Sequence, residues 1–364
     1  MRAAHPQGQV AMVFDLNKCM GCQTCSIACK ALWCGEEGEE HQWWMTVNTQ
    51  PGRGSPKDWE SMGGGWRDGH PVPGRQPRRA DFGGGWEFNS DQVLYGGGGR
   101  SVHLQPTEKG DGTTEWGPNW DEDQGAGEYP NSYHFYLPRM CNHCTNPVCV
   151  EACPSGAMYK RADDGAVLRD EQICQGARFC MEACPYKKVY FNYVRGIAQH
   201  CVLCFPRLDA GVAPTCARQC PGRAVFVGMR GDPSGPIRRL TEEWEVALPL
   251  HPEYGTEPNV FYVPPLSARR LREDMSIDQR SERIPPTYLE SLFGPKVHAA
   301  LQRLRSEIAT VRAGGTSELL DTLIAYDWLD LFGPFTGDPA QPQPGQAAGA
   351  GAAQDGAAKA QDGS

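Results

Sequence analysis

The placement of the cysteines constrains this chain more than any other feature of its sequence. Of the 16 cysteines among 364 residues, fifteen fall into four short runs, and none follows Cys220. Every run ends in the same Cys-x3-Cys step, so the runs are copies of one internal repeat. The four runs are Cys19, Cys22, Cys25 and Cys29; Cys141, Cys144, Cys149 and Cys153; Cys174, Cys180 and Cys184; and Cys201, Cys204, Cys216 and Cys220.

This spacing is typical of bacterial ferredoxins, in which three cysteines of a run bind one iron-sulfur cluster and the fourth reaches the cluster of a partner run. A tight loop can surround three corners of a cubane, whereas the next turn of chain already points away from it. A proline follows the last cysteine of the second, third and fourth runs and fixes the direction in which the chain leaves. Two runs make two clusters, so four runs predict four.

Proximity along the chain pairs the second run with the third and leaves the two flanking runs, the first and the fourth, as the other pair. Because each run lends its fourth cysteine to its partner, every cluster receives a defined set of ligands. The sets are Cys19, Cys22, Cys25 and Cys220 for cluster one; Cys29, Cys201, Cys204 and Cys216 for cluster two; Cys141, Cys144, Cys149 and Cys184 for cluster three; and Cys153, Cys174 and Cys180 for cluster four.

Cluster four therefore has only three ligands. The missing one falls at Ala177, midway between Cys174 and Cys180, where a regular run places a cysteine. Because alanine offers iron no ligand, we expect a three-iron 3Fe-4S cluster at this site and 4Fe-4S clusters at the other three. Cys34 is left outside the runs, and we interpret it as a small buried hydrophobe rather than a redox centre or a ligand.

Two other uses of cysteine compete with this interpretation. Structural zinc sites also contain Cys-x2-Cys, but as two separated pairs that close one tetrahedral site rather than as runs that end in Cys-x3-Cys-Pro. A disulfide framework is disfavoured because cysteines two residues apart bridge poorly. Sixteen cysteines in 364 residues are also too few for a disulfide-stapled scaffold.

Outside the runs the sequence offers no recognisable catalytic machinery. GGGGR at residues 96–100 lacks the strand-turn-helix context of a phosphate loop, and no nucleophile-base pair stands out, so we expect no catalytic residue. A net charge of −9 argues against a nucleic-acid partner. We also expect no membrane span and no export signal of its own, because neither a long apolar stretch nor a secretory signal pattern is present.

Basic residues and two histidines lie close to the runs. We expect His143 and His200, which adjoin predicted ligands, to donate hydrogen bonds to the cluster surroundings rather than to bind iron. About half of the basic residues would be ordinary surface, whereas the rest would offset the negative charge of clusters and thiolates and raise the reduction potential. These residues are Lys30, Arg139, Arg161, Lys187, Lys188, Arg207, Arg218 and Arg223.

The runs divide the chain into segments that predict an α+β fold. We expect two nested bacterial-ferredoxin-like units, a loop-rich insertion and a helical C-terminal extension. The insertion is rich in glycine and tryptophan, which favours an ordered segment over the alternative of a flexible linker. The segments are residues 8–35 (first half of unit one), 36–130 (insertion), 131–195 (unit two), 196–235 (second half of unit one), 236–335 (docking loop and helices) and 338–364 (disordered tail).

Local patterns predict several elements within these segments. VAMVFDL, AVLRD and KVYFNYV are β-prone stretches that flank or separate the runs. A Pro-Pro-Thr start and a Gly-Gly end frame a helix over residues 287–312, and a second helix is expected over 317–331.

Longer stretches around the runs resemble a known family. VFDLNKCMGCQTCSIACK, GPNWDEDQGAGEYPNSYHFYLPRMCNHCTNPVCVEACP, CMEACPYKKVYFN and ALPLHPEYGTEPNVFYVPPL are similar to the iron-sulfur β subunit of the dimethyl sulfoxide reductase family of molybdoenzymes. The chain most resembles the branch that contains ethylbenzene dehydrogenase, selenate reductase, chlorate reductase and dimethyl sulfide dehydrogenase, with respiratory nitrate reductase further off. The likeness extends over residues 10–332.

The resemblance implies an electron-transfer subunit between two partners: an α subunit with a molybdenum bis-pterin cofactor and a γ subunit with haem b. It implies the same crossed ligand sets and a three-iron cluster four, with cluster one facing the molybdenum subunit and cluster four facing the haem. It further implies a periplasmic complex, exported on the twin-arginine signal of the α subunit. The alternative is the iron-sulfur subunit of a cytoplasmic or membrane-anchored nitrate reductase, formate dehydrogenase or hydrogenase complex.

Overall fold

The computed structural model describes residues 8–82, 89–96 and 125–338 of the chain. Part of the predicted insertion and all but the first residue of the predicted disordered tail lie outside the described residues. The strands are β1 Val10–Asp15, β2 Thr46–Gln50, β3 Trp66–Arg67, β4 His70–Pro71, β5 Phe135–Arg139, β6 Met158–Lys160, β7 Val167–Arg169, β8 Val189–Asn192, β9 Ile197–His200, β10 Val225–Met229, β11 Leu248–Pro249, β12 Val260–Val263, β13 Arg269–Leu271 and β14 Ile277–Glu282.

The helices are mostly short. They are α1 Thr24–Trp33, α2 Ser90–Leu94, α3 Val148–Glu151, α4 Phe179–Ala183, α5 Phe205–Asp209, α6 Thr215–Arg218, α7 Pro236–Arg238, α8 Pro286–Phe293, α9 Val297–Arg312 and α10 Glu318–Ile324. Strands and helices are thus mixed along the described chain, in agreement with the α+β class expected from the sequence.

β1 is a central strand of the largest sheet. All six of its residues are buried, and the apolar run VAMVF before Asp15 suits a strand that is covered on both faces. It pairs antiparallel with β10 and parallel with β12, and β11 extends the sheet beyond β12. The strand predicted from VAMVFDL is confirmed.

The pairing of β1 with β10 brings the two flanking cysteine runs together. The register sets Val10 opposite Met229 and Phe14 opposite Val225. β1 ends just before the first run, and β10 begins just after the fourth run. Because the two strands are antiparallel, both runs lie at the same edge of the sheet.

Two β-hairpins separate consecutive cysteine runs along the chain. β6 and β7 pair between the second and third runs, with Met158 opposite Arg169, and β8 and β9 pair between the third and fourth runs, with Val189 opposite His200. β5 leads into the second run and pairs with β2 from the insertion. The β-prone stretches AVLRD and KVYFNYV therefore form β7 and β8, as predicted.

The described part of the insertion packs into the core. Trp59 is fully buried, and the guanidinium of Arg139 lies 3.5 Å from the centroid of its ring. Trp44 and Phe82 are also buried. The described residues 36–82 therefore form loops and short elements that pack against β5, through the β2 pairing and the contact of Trp59 with Arg139.

The two predicted C-terminal helices are wrong in their extent. The helix expected over 287–312 is two helices, α8 and α9, because Gly294 adopts φ 75° and Pro295 follows it. The helix expected over 317–331 ends at Ile324, because Ala325 adopts the left-handed conformation. A 3-10 helix, Trp328–Phe332, follows instead.

One apolar core connects the main sheet to the C-terminal helices. Phe226, Tyr262, Phe293 and Leu304 belong to it, and each is at least 98% buried. The longest helix, α9, carries several charged residues, and none of the helices in the described ranges is long and apolar enough to cross a membrane.

Gly294 supplies a test of the break between α8 and α9. Its φ of 75° and ψ of 177° suit glycine almost exclusively, and an added Cβ would approach Cγ of Pro252 to 2.9 Å. We expect Gly294→Ala to lower the free energy of unfolding by about 1–3 kcal/mol, measured as a lower thermal midpoint. Gln302→Ala, at an exposed position of α9, is the control and should change little. Equal midpoints for the two variants would contradict the assigned strain.

Candidate metal centres

The final Cys-x3-Cys step of each run is built on a short helix. Cys25 and Cys29 lie on α1, whereas Cys149, Cys180 and Cys216 lie on α3, α4 and α6, and the last cysteine of those runs follows its helix. The helix begins after a residue that turns the chain sharply: Gln23 and Arg178 adopt φ near 60°, and Pro147 and Pro214 precede the other two. The loop before each helix can therefore curl around a bound group.

The helices pack in two pairs. α1 contacts α6, and α3 contacts α4. The first pair joins the flanking runs across the β1–β10 edge, and the second joins the inner runs. This packing brings fifteen thiols into four sets, which we call groups one to four: Cys19, Cys22, Cys25 and Cys220; Cys29, Cys201, Cys204 and Cys216; Cys141, Cys144, Cys149 and Cys184; and Cys153, Cys174 and Cys180.

Group one surrounds a small cavity near the surface. Its four cysteines line the cavity together with apolar side chains such as Phe14 and Val225 from the paired strands. Burial raises the pKa of Cys19 to about 11, and the charges of Cys220 and Cys22 raise it further. Cys22 is exposed, so this group reaches solvent.

Group two is the most deeply placed. All four of its cysteines are buried. Burial raises the pKa of Cys29 well above its usual value, and the neighbouring charges of Cys216 and Cys204 add to this. The indole Nε1 of Trp33 donates a hydrogen bond to Cys204 Sγ at 3.1 Å, which favours a thiolate at that sulfur.

Group three lines a second small cavity, which also contacts Tyr186 and Lys188. Burial raises the pKa of Cys144 to about 12, while a hydrogen bond with Thr256 opposes this shift. Cys149 has the same environment, and Cys184 raises its pKa further after burial. Apolar side chains such as Val148, Met158 and Val167 line the cavity beside polar ones such as His200 and Thr256.

Group four is also partly exposed, because Cys153 and Cys174 are only partly buried. Burial raises the pKa of Cys180 to about 12, and the charges of Cys153 and Cys174 follow in importance. The pKa of Cys153 is lowered: burial is the largest single influence and raises it, but hydrogen bonds with Met158 and Ser155 together outweigh it. Ala177 is exposed and contributes no ligand atom.

Pairs of thiols link each group to the next. In each pair burial is the largest influence on the thiol pKa, and the charge of a thiol in the neighbouring group raises it further. The pairs are Cys216 with Cys25, Cys201 with Cys141, and Cys149 with Cys180. Because Coulomb interactions weaken with distance, these pairs place the four groups in a row, in the order one, two, three, four.

The arrangement fits a multinuclear cluster better than the alternatives weighed from the sequence. No three His, Cys, Asp or Glu side chains in the described residues converge on a point where they would share one metal ion, as tetrahedral zinc requires. All sixteen cysteines are free of disulfide bonds. Thiols that ring a cavity without converging suit a larger group with a thiolate at each corner, and such ligands must be deprotonated when it binds.

The structure separates the predicted basic residues into two kinds. Arg139, Lys187 and Lys188 are buried, whereas the others remain at least partly exposed. Burial lowers the pKa of Arg139 to about 10. It lowers that of Lys188 well below the usual range, and the Arg139 charge lowers it further.

Sequence reasoning missed one lysine close to a group. Lys160 Nζ donates to the backbone carbonyl oxygens of His143, Cys144 and Gly165, at 3.2, 3.0 and 2.6 Å. It therefore holds the loop of the second run against β6. Nothing in the local sequence marks it, because the contact depends on how β6 folds back over the run.

The two histidines are buried, and Cys34 is as well. His143 Nδ1 accepts a hydrogen bond from the backbone N–H of Val167, and His200 Nδ1 lies 2.7 Å from the carbonyl oxygen of Cys201. Because a carbonyl oxygen only accepts, His200 donates to Cys201 as predicted. His143 donates no hydrogen bond in the described part of the chain, where neither Nε2 atom has a partner. Cys34 is 5% exposed and belongs to the apolar core, as expected of a small hydrophobe.

Crossed cysteine runs on paired helices define the class of iron-sulfur electron carriers. A family model described as "4Fe-4S dicluster domain" matches residues 132–230, which span the second, third and fourth runs. This match establishes iron-sulfur binding as the chemistry of these runs.

Known proteins resemble the chain over nearly its whole length. It is 50% identical to the β subunit of selenate reductase from Thauera selenatis, over 90% of this chain and 99% of that one. It is 52% identical to the β subunit of respiratory nitrate reductase from Haloferax mediterranei, over 86% and 90%. It is 48% identical to the β subunit of dimethylsulfide dehydrogenase from Rhodovulum sulfidophilum, over 89% and 98%.

The chain belongs to the family of iron-sulfur β subunits of molybdoenzymes of the dimethyl sulfoxide reductase family. The resemblance inferred from the sequence is confirmed. A β subunit of this family is an electron-transfer component and does not carry out catalysis by itself.

Gly21 lies in the loop of group one and supplies a test of that loop. Its φ is 69°, and an added Cβ would lie 2.6 Å from the ring of Tyr136. We expect Gly21→Ala to distort the loop and lower the iron and acid-labile sulfide content per chain. Gly35→Ala is the matched control, because an added Cβ there meets nothing within 4 Å. Full iron content in Gly21→Ala would show that the loop adapts.

Proposed function

We propose that this chain relays electrons through three 4Fe-4S clusters and one 3Fe-4S cluster in a periplasmic molybdenum-dependent oxidoreductase. Groups one, two and three would bind the 4Fe-4S clusters, and group four would bind the 3Fe-4S cluster. The partners would be a catalytic α subunit with a molybdenum bis-pterin cofactor and a γ subunit with haem b. The clusters supply one-electron transfer when bound, and the chain would hold them in two nested ferredoxin-like units.

The observation that carries the proposal is the single row of four thiol groups. The inter-group pairs leave no group isolated, and all four cysteines of group two are buried. A subunit with an active site of its own would need one cluster beside a substrate pocket. A row from one surface to another instead suits transfer between two partner proteins.

Exposed apolar side chains at both ends of the row support this role. Beside group one, Met20 and Ile27 are 57% and 53% exposed. Beside group four, Ile173 and Phe179 are 46% and 49% exposed. Exposed apolar residues of this kind mark protein contact surfaces. By the family resemblance, the end at group one would face the molybdenum subunit, and the end at group four would face the haem subunit.

The direction of electron flow would be set by the catalytic partner. The relatives include reductases and a dehydrogenase at similar identity, so closely similar β subunits serve both directions. The substrate would accordingly be an oxyanion such as selenate, chlorate or nitrate, or a reduced compound such as dimethyl sulfide or ethylbenzene.

A second candidate is the β subunit of a respiratory nitrate reductase, whether cytoplasmic or membrane-anchored. The 52% identity to the Haloferax mediterranei protein favours it. The two candidates share the cluster-binding chain and differ in the large subunit and its compartment.

The proposal is tested on the complex purified without oxygen. We expect the clusters of this chain to supply about fifteen non-haem irons, the sum of three 4Fe-4S clusters and one 3Fe-4S cluster, and a three-iron EPR signal in the oxidised state. Mass identification of the co-purifying subunits should find a molybdenum subunit with a twin-arginine leader and a haem subunit. Sixteen non-haem irons in the clusters of this chain, without a three-iron signal, would refute group four as assigned, and a large subunit found in the cytoplasm would refute the compartment.

Cys216 and Cys34 form a matched pair of substitutions. Both thiols are 5% exposed, but only Cys216 belongs to a group. We expect Cys216→Ala to lose group two's iron and to lower the thermal midpoint, because a bound group ties the fourth run to the first. Cys34→Ala should keep its iron and lose only packing, about 1 kcal/mol. Equal iron loss in both variants would contradict the assignment.

Ala177→Cys would supply the missing corner of group four. We expect conversion of the three-iron cluster to a four-iron cluster of lower potential, with slower reduction of a haem-reactive acceptor. Disappearance of the oxidised-state EPR signal and one additional iron per chain would report the conversion. Unchanged acceptor kinetics after a verified conversion would show that group four is not an obligatory step.

A further inference from the structure

Lys188 is a buried ammonium group without an acidic partner in the described residues. Lys188 is only 1% exposed. Nζ donates to the carbonyl oxygen of Trp43 at 3.3 Å, to Thr46 Oγ1 at 3.1 Å and to the Tyr190 hydroxyl at 3.1 Å. No carboxylate of the described chain forms an ion pair with it. Burying an uncompensated charge is costly, so its position requires an explanation.

The hydrogen bonds themselves favour the charged form of Lys188. The Tyr190 hydroxyl donates to the Trp43 carbonyl oxygen, and Thr46 Oγ1 donates to the Arg139 carbonyl oxygen. Both hydroxyl hydrogens are thus used elsewhere, and each hydroxyl oxygen accepts from Lys188. Three accepting partners match the three hydrogens of an ammonium Nζ, so these hydrogen bonds favour the charged form, whereas burial and the Arg139 charge oppose it by lowering the pKa of Lys188.

A second buried cation makes the lack of acidic partners more costly. Arg139 is 1% exposed, lies over Trp59 and donates to the carbonyl oxygens of Ser55 and Tyr186. Its charge acts on Lys188. The nearest carboxylate to affect Arg139 belongs to Glu60, whose side chain is 40% exposed and is paired with His251. Neither of these two like charges forms an ion pair with a carboxylate in the described residues, and the cysteines near them become negative only when they are deprotonated as ligands.

The thiolates around Lys188 come from two different groups. Lys188 lines the cavity of group three, and the β8–β9 register that sets Val189 opposite His200 places it close to Cys201 of group two. Cys29, Cys201 and Cys184 accordingly act on it electrostatically. Other lysines near the groups act locally: Lys160 faces thiols of group three, and Lys18 faces Cys220 of group one. Lys188 thus lies at the junction between the two cluster pairs.

We propose that Lys188 is a shared counter-cation that raises the reduction potentials of both middle clusters, two and three. The proposal rests on the ligand sets of the proposed function. Each added electron makes a cluster more negative, so a fixed cation nearby favours the reduced form. One cation that acts on both clusters raises both potentials in the same direction, so it does not widen the difference in potential that an electron meets where it passes between the two ferredoxin-like units.

The test is redox titration of the purified complex, with each cluster followed by low-temperature EPR. In Lys188→Met we expect two of the four midpoints to fall and the other two to stay. The expected change is at least tenfold in the reduced-to-oxidised ratio at a fixed potential, or about 59 mV for a one-electron couple. Lys188→Arg, which keeps the charge, should stay near wild type. Unchanged midpoints in Lys188→Met, or equal falls in the Met and Arg variants, would overturn the proposal.

Two further variants separate the effect of charge near one group from a general effect of lysine. Lys160→Met should move a single midpoint, and Lys296→Met, which removes a lysine whose side chain is 70% exposed, should move none. A fall of the same two midpoints in Lys296→Met would contradict a local role for Lys188.

If the methionine variant fails to assemble, Lys188→Gln replaces it in the test, because the glutamine amide retains hydrogen bonding to the same partners. If both neutral variants lost iron while Lys188→Arg kept it, the requirement for a charge would be supported. Loss of iron in the arginine variant as well would assign Lys188 to cavity shape and overturn the proposal. The iron content of the wild-type complex distinguishes failure of the proposed function from failure of the Lys188 proposal. Fewer than four clusters in the wild-type complex would refute the proposed function. Unmoved midpoints in a complex with four clusters would refute only the role of Lys188.

Discussion

The antiparallel pairing of β1 with β10 is the constraint on which the rest of the structure depends. The two strands come from opposite ends of the cysteine-bearing region, and their register sets Phe14 opposite Val225. That register brings Cys19 and Cys220, some two hundred residues apart in sequence, to one cavity. Closing such a long loop costs conformational entropy. The fully buried apolar strands offset that cost before any metal is bound.

The second pair of groups relies on local structure instead. The β6–β7 and β8–β9 hairpins follow the second and third runs directly, and α3 and α4 pack together without a distant partner. Thiols in both pairs are held where burial raises their pKa values, so the metal-free interior favours protonated sulfur. Metal binding must displace those protons, which makes cluster assembly and completion of the fold one coupled process.

The surroundings of the four groups differ along the row in a way that suits electron transfer between two partner proteins. The end groups reach the surface beside exposed apolar side chains, whereas the cysteines of group two are all buried. Exposed ends permit close approach by partner proteins. In the proposed assignment, the potentials of the middle clusters would depend on fixed residues such as Lys188 more than on solvent.

The sequence by itself determined the chemistry of this protein. Cysteine spacing is a local property, because a run wraps its own cluster, and it therefore indicated iron-sulfur binding, the sets of cysteines to be expected and the gap at Ala177. The stretch VAMVFDL likewise predicted a strand. Local helix signals failed where a single backbone conformation intervened: Gly294 and Ala325 adopt positive φ values that end helices which the apolar pattern alone would continue.

Only the tertiary structure decided the order of the groups, the surfaces at which the row ends and the surroundings of the buried cations. Lys30, Lys188 and Arg223 were alike in sequence, each a basic residue near a run. Folding left Arg223 exposed and Lys30 partly so, but it enclosed Lys188 between two groups. That distinction arises from β2, β8 and the second run meeting in space, and no pattern of neighbouring residues encodes it.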